Sequence, residues 1–401
     1  MAINTEDKRR AIAGYAGPFG VIAPLPTSSL DDADRRHLVG LYRGPLIPLA
    51  LFMFPAPAGV SILFLVADVD GRVLTEINPA IQRVSWRWNA AGAVAFAMAA
   101  TDPKLREEYF VDGNRVLLQF DNGLPDWGGV LTGARDWNGS SVAFGAVSGE
   151  WILSTRRTAR GRYFTEAQVG TILTQILQEA EAYYPTGLRP GNIWQGGSAH
   201  SPEYHRASLY DVVADDLVGN MSAGAFDVTP SLESGRILFS VNLYQRKGVD
   251  RPGVALVENQ NITGIRYREI DEAINTWHMA GEGDGWEDDS RVYATALNSE
   301  SVTRHGMRED SEVLSGVTEQ SALDATAAKR LAETAWPTRV LGLTVRDGPP
   351  GRYRDYGIGD AVTCRLHSFG FGGVDGLFEV RAREFFPDSG TSDLVLLEVV
   401  S

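Results

Sequence analysis

Cysteine is almost absent from this chain: Cys364 is the only one in 401 residues. A lone thiol excludes an intrachain disulfide and a thiolate metal cluster, so burial and hydrogen bonding must hold the fold, and synthesis in a reducing cytoplasm is expected. Catalytic signatures are missing too. The chain has no Gly-x-x-x-x-Gly-Lys phosphate loop, no His-Glu-x-x-His zinc pair and no Gly-x-Ser-x-Gly nucleophile elbow. Positive charge is in deficit, with 37 Lys and Arg against 51 Asp and Glu and a net charge of -14, which argues against gripping nucleic acid through clustered cations. Long apolar runs are broken. Leu46 to Ala67 approaches the ~20 residues that cross a bilayer, but Pro48, Pro55, Pro57 and Gly59 interrupt it and Asp68 ends it, so stable membrane insertion is not expected. Met1 to Arg10 is polar, without an apolar core behind its basic residues, and no secretory leader is expected.

What the chain has is turns and aromatics. It is 44% hydrophobic, with 43 glycines and nine tryptophans, a balance that suits turn-rich β structure better than a helical bundle. Its length allows two to four domains of about 100–200 residues each. Val60 to Val69 and Arg72 to Ile77 flank Asp70-Gly71, a step that favours a tight hairpin. Val84 to Trp88 alternates, and Asn89 to Ala100 bends at Gly92 before placing Val94, Phe96 and Met98 on one face. Arg115 to Phe120, Val130 to Ala134 and Ser141 to Val147 follow, then Glu150 to Leu153 and the basic Arg156-Arg157. Turns spaced by about 8–12 residues predict a sandwich or barrel.

The period then changes. Thr165-x-x-Gln168 has capping-box spacing, and Val169, Ile172, Leu173, Ile176, Leu177 and Ala180 form a helical stripe that Pro185 stops. Ser208 starts a second helix through Leu209, Val212, Val213 and Leu217, ended by Gly219-Asn220. Strands are expected at Ala225 to Val228, Arg236 to Tyr244, Ala255 to Glu258, Gly264 to Arg268 and Asn275 to Ala280. A third helix spans Ser321 to Trp336, and Val340 to Val345, Ala361 to Leu366, Leu377 to Phe385 and Leu394 to Val400 are β again. The expected fold is mainly β with an α+β insertion: a first β-barrel at 59–158, an α+β middle region at 159–337 and a C-terminal β-barrel at 338–401. Residues 1–58 read as an extended arm with one short helix, Ser29 to Tyr42, that docks on a neighbour or lies loose.

Several of these features together resemble a known family. They are the strand, Asp70-Gly71, strand opening, Asn89-Ala90-Ala91-Gly92 behind a tryptophan-bearing strand, Gly113-Asn114-Arg115-Val116 entering a strand, and Gly129-Val130-Leu131-Thr132-Gly133 before an arginine-rich exit. The pattern, over about residues 58–401, is similar to the tail-tip hub of long-tailed bacteriophages (siphoviruses) and to the central hub of contractile-tail baseplates. That resemblance implies a virion structural protein, commonly a homotrimer, which closes the tail tube and supports host attachment and DNA ejection. Implied partners are the distal tail protein, the tape measure protein and other tail-tip or fibre proteins. An acidic channel wall would then let DNA pass without sticking.

Candidate chemistry is sparse, and no catalytic residue, metal site or cofactor is assigned. His200 and His205 share a loop but lack a helix to align them on a metal. The acidic loop Glu282 to Asp289 departs from the twelve-residue calcium pattern and reads as a charged turn. Glu150, Glu269, Asp271 and Glu272 supply carboxylates for glycoside hydrolysis, as any acidic chain would, and with the last strand reaching Val400 no appended hydrolase domain is expected. Trp86, Trp88, Trp127 and Trp137 could stack on sugars, although at strand spacing they read as core or interface anchors. Two functions therefore compete: a ring-forming hub without enzymatic activity, and a carbohydrate- or receptor-binding tail protein with weak wall hydrolase activity.

Overall fold

A computed structural model describes residues 60–399 except 271, 284–290, 315–316 and 368–372. The expected arm and its helix, and most of the acidic loop, lie outside the described residues. The fold is mainly β and multidomain, with several sheets.

Period-two patterning builds the first half of the largest sheet. Strands β1 (Ile62–Ala67), β2 (Val73–Ile77), β3 (Ala80–Arg87), β4 (Ala93–Ala99), β5 (Arg115–Phe120), β6 (Trp127–Asn138) and β7 (Ser141–Ser148) are antiparallel in the order β3-β4-β7-β6-β5-β1-β2. In β4, Val94, Phe96 and Met98 turn inward and small alanines face the other side, because successive strand side chains point oppositely. The Phe64 ring of β1 sits 4.8 Å from Phe96 of β4. Three strands separate the two along the ladder, so the sheet must roll onto itself around this aromatic core. The predicted hairpin is present between β1 and β2, with Gly71 at φ +86° and Asp68 Oδ1 accepting from the Arg72 N–H at 2.8 Å.

The chain then leaves this sheet through a short helix, α1 (Glu150–Thr155), and a two-stranded pair, β8 (Arg162–Tyr163) with β10 (Glu203–Tyr204). Helix α2 (Val169–Tyr183) buries the predicted stripe, Val169 to Ala180. Its capping box does not form. Gln168 is itself the N-cap, with no side-chain cap bond, because two backbone bonds of 2.9 Å between Ala167 and His200 fix the preceding chain instead. The second helix, α3, starts as Leu209–Asp211 and widens to a π-helix over Val212–Asn220. Both helices share a core with a three-stranded sheet, β11 (Ala225–Glu233), β12 (Arg236–Tyr244) and β9 (Leu188–Ile193).

The large sheet resumes at the other end of the chain. β18 (Arg339–Arg346), β21 (Thr391–Glu398) and β20 (Val374–Phe386) run in order, and β20 pairs with β3 from Ala382↔Arg87 to Phe385↔Val84. β19 (Ala361–Leu366) pairs with β20. Two strands from the stretch expected to belong to the middle region also join here: β13 (Asp250–Val257) lies parallel to β19 and β14 (Ile262–Ile270) antiparallel to β18. Their Leu256 and Ile262 are buried with Leu341, Val362 and Phe378. Between β14 and β18 the chain makes a separate layer, β15 (Thr276–Ala280), β16 (Tyr293–Leu297) and β17 (Glu309–Val313), with α4 (Ser299–His305) in the β16–β17 connection. Helix α5 (Gln320–Thr334) covers one face of that layer and buries Trp277, Met279, Leu323 and Ala327.

Candidate assembly surfaces

The carboxylates considered for hydrolysis are spread through the fold. Glu150, in the first turn of α1, is buried: it accepts from the Ser148 hydroxyl and, at 3.1 Å, from the Val228 N–H. Burial raises its pKa above the usual carboxylate value. Glu272 lies at the surface, 3.4 Å from Arg308. Glu269 is on β14, and Asp271 lies outside the described residues. The two histidines of the candidate metal loop have different surroundings: burial lowers the pKa of His200, whereas His205 is exposed and pairs with Glu203. Among the described residues no three His, Cys, Asp or Glu side chains are placed to hold a metal ion. Cys364 is buried in the C-terminal core, which pushes its thiol up to about 12.

The four tryptophans divide. Trp127 is core, 1% exposed, and its indole N–H donates to the Ser85 carbonyl at 3.0 Å. Trp86 packs half-buried on Phe120, with ring centroids 5.6 Å apart. Trp88 carries the Arg381 guanidinium 4.3 Å from its ring centre. Trp137, on the β6–β7 hairpin, is 65% exposed.

Two polar residues that sequence reasoning did not single out join the rolled sheet to the middle region. Arg115 is 3% exposed and donates to the carbonyls of Val69 and Ile237, each at 2.8 Å, and to that of Thr186. Asn89, at φ +49°, accepts from the Phe226 N–H at 2.9 Å through its side chain, and its carbonyl accepts from the Tyr210 hydroxyl at 3.3 Å. Both belong to the motifs quoted above. The available signal was a full charge opening the apolar strand Arg115–Phe120, where an unpartnered guanidinium would be costly.

Unfinished surfaces are the remaining feature. β2 has a ladder partner on one side, β1, and β14 on one side, β18. The other side of each is engaged at its first residue, by the Val73 N–H to the Gly235 carbonyl at 2.9 Å and by a bridge between Ile262 and Glu258, and among the described residues no further strand continues either ladder. Leu74 of β2 is exposed. In the layer covered by α5, the register Thr276↔Leu297, Ala280↔Tyr293 and Ala280↔Val313 puts three exposed apolar side chains on the opposite face.

No family model and no curated protein matches the sequence. Solved structures do. The prophage tail protein gp18 of Listeria monocytogenes EGD-e superposes with a TM-score of 0.57 at 14% identity, over 85% of this chain and 94% of that one. The chain has the fold of phage tail proteins. The 43 kDa tail protein of prophage MuSo2 from Shewanella oneidensis agrees at a TM-score of 0.55 and 12% identity, over 84% of this chain and 98% of that one. A tail protein of Neisseria meningitidis MC58 gives 0.54 and 14%, over 85% and 97%. Each match spans nearly the whole neighbour, 94–98% of its length.

Proposed function

We propose that this chain is a structural hub of a phage tail tip. It assembles as a homotrimeric ring that closes the tail tube, joins the distal tail and tape measure proteins, and supports attachment and DNA delivery from the virion. The observation that carries this reading is the tail-protein fold, extended over 85% of the chain. The outer edges of β2 and β14 beyond their first residues, and the exposed Tyr293, Leu297 and Val313 side chains, support it, since self-association would cover them. The rolled sheet of 59–158 and the strands of 338–401, joined by β13 and β14, form the ring domains, and the rest of 159–337 fills the space between them.

The hub has no enzymatic role in this reading, and Glu150 serves packing. Native mass spectrometry with negative-stain imaging tests the proposal. Trimers seen as closed rings are expected. A chain that stays monomeric at high concentration and cleaves a cell-wall glycan would overturn it in favour of the alternative, a glycan-binding tail protein with hydrolase activity.

A further inference from the structure

The Thr165-x-x-Gln168 motif leaves a feature that the fold does not consume. Neither side chain caps α2, and both are exposed on the wall of a surface groove of about 520 Å³. At the mouth of this groove stands Tyr163, 61% exposed. Its position is set by neighbours: Glu203 lies directly across the β8–β10 pair, on the same face. The His205 ring meets it edge-on, with centroids 5.8 Å apart and planes at 85°.

The polar wall is also preset. Gln175 Oε1 accepts from Arg162 Nη2 at 2.6 Å, which leaves the amide N–H groups of Gln175 as its donors toward a ligand. Glu166 takes φ +45°, a left-handed conformation sparsely populated by non-glycine residues, and is held there by a 3.0 Å bond from its N–H to Ser201 Oγ. The Arg162 guanidinium at the edge is paired with Glu179 at 3.2 Å, so the groove offers an anion little attraction. An exposed aromatic face beside hydroxyls, amides and a carboxylate matches an uncharged pyranose chain, whose C–H faces stack and whose hydroxyls both donate and accept.

We propose that the groove between Tyr163 and the start of α2 binds a neutral oligosaccharide, with Tyr163 as the stacking platform and Gln175, Thr165 and Glu166 contacting ring hydroxyls. The site lies within one chain and does not depend on the hub reading. The test titrates the intact protein with maltohexaose, chitohexaose and, as an anionic control, polyphosphate, using calorimetry and saturation-transfer NMR. Saturable binding of either sugar is expected, weakened about tenfold by Tyr163→Ala and several-fold by Gln175→Ala at unchanged melting temperature. Trp137→Ala, an exposed aromatic elsewhere, should leave binding intact. Binding of polyphosphate alone, no saturable binding of either sugar at millimolar concentration, or sugar binding that survives Tyr163→Ala would overturn the proposal. Ring formation is read separately by mass, so failure of one reading leaves the other standing.

Discussion

Removing the Arg115 guanidinium gives the sharpest measure of how the rolled sheet is tied to the middle region. Arg115→Ala deletes a buried cation that serves three carbonyls, on Val69, Thr186 and Ile237. Hydrogen bonds from charged groups contribute about 1.5–3 kcal/mol each, and an abandoned buried carbonyl costs a further ~1–3 kcal/mol. Against this, the guanidinium no longer has to be desolvated, a cost visible in the direction of its pKa, which burial lowers. The net loss should be about 3–5 kcal/mol, at the upper end of the range for single substitutions that break a buried hydrogen-bond network. Arg115→Lys keeps the charge but not the fork, and should lose roughly half as much. Gly71 and Gly187, at φ +86° and +72°, press on the same group: a Cβ at either would lie 2.8 Å from Arg115 Nη1. Gly187→Ala and Arg115→Ala should therefore be non-additive in a double-mutant cycle, by about 1 kcal/mol. Urea unfolding at fixed protein concentration reads all of these. An Arg115→Ala variant within about 1 kcal/mol of the parent would refute the assignment of Arg115 as the tie.

Two other perturbations test separate parts of the reasoning. Because the folded pKa of Glu150 is raised, its contribution to stability is full below the unfolded value of 4.5 and falls as pH rises through the folded pKa. Glu150→Gln should thus gain stability relative to the parent as pH climbs from 4 to 8, and a variant that loses ground over that interval would contradict the assignment of a buried carboxylate whose pKa desolvation raises. Trp137→Ser, at a 65% exposed hairpin position, should change unfolding free energy by no more than about 0.5 kcal/mol. A larger loss in the monomeric state would mean that the indole packs on its own chain.

Much of the secondary structure is legible locally. Strands Arg236–Tyr244 and Ala361–Leu366 keep the bounds that alternation predicts, and α2 buries the stripe read from its spacing. β9 was missed because Pro190 and Gly191 interrupt Leu188–Ile193; it pairs parallel to β12 at the margin of its sheet, where a proline is tolerated. β17 was missed because Glu309–Val313 is almost wholly charged or polar, and only the pairing with β15 makes it a strand. The groove was half visible: Thr165 and Gln168 stood out as a helix cap, but their real setting depends on the return of Glu203 and His205 some forty residues later.

Taken alone, the amino-acid order settled what short-range physics controls: one thiol and so no intrachain disulfide, period-two runs cut by turns, helical stripes ended by proline, and a surplus of negative charge. Three-dimensional packing decided partnership. A period of two marks a strand's inner face but names no core to receive it, which is why β13 and β14 are seen with β18 and β19 only in the folded chain. The same holds for Arg115, whose acceptors lie 46, 71 and 122 residues away, a distance over which no local pattern carries information.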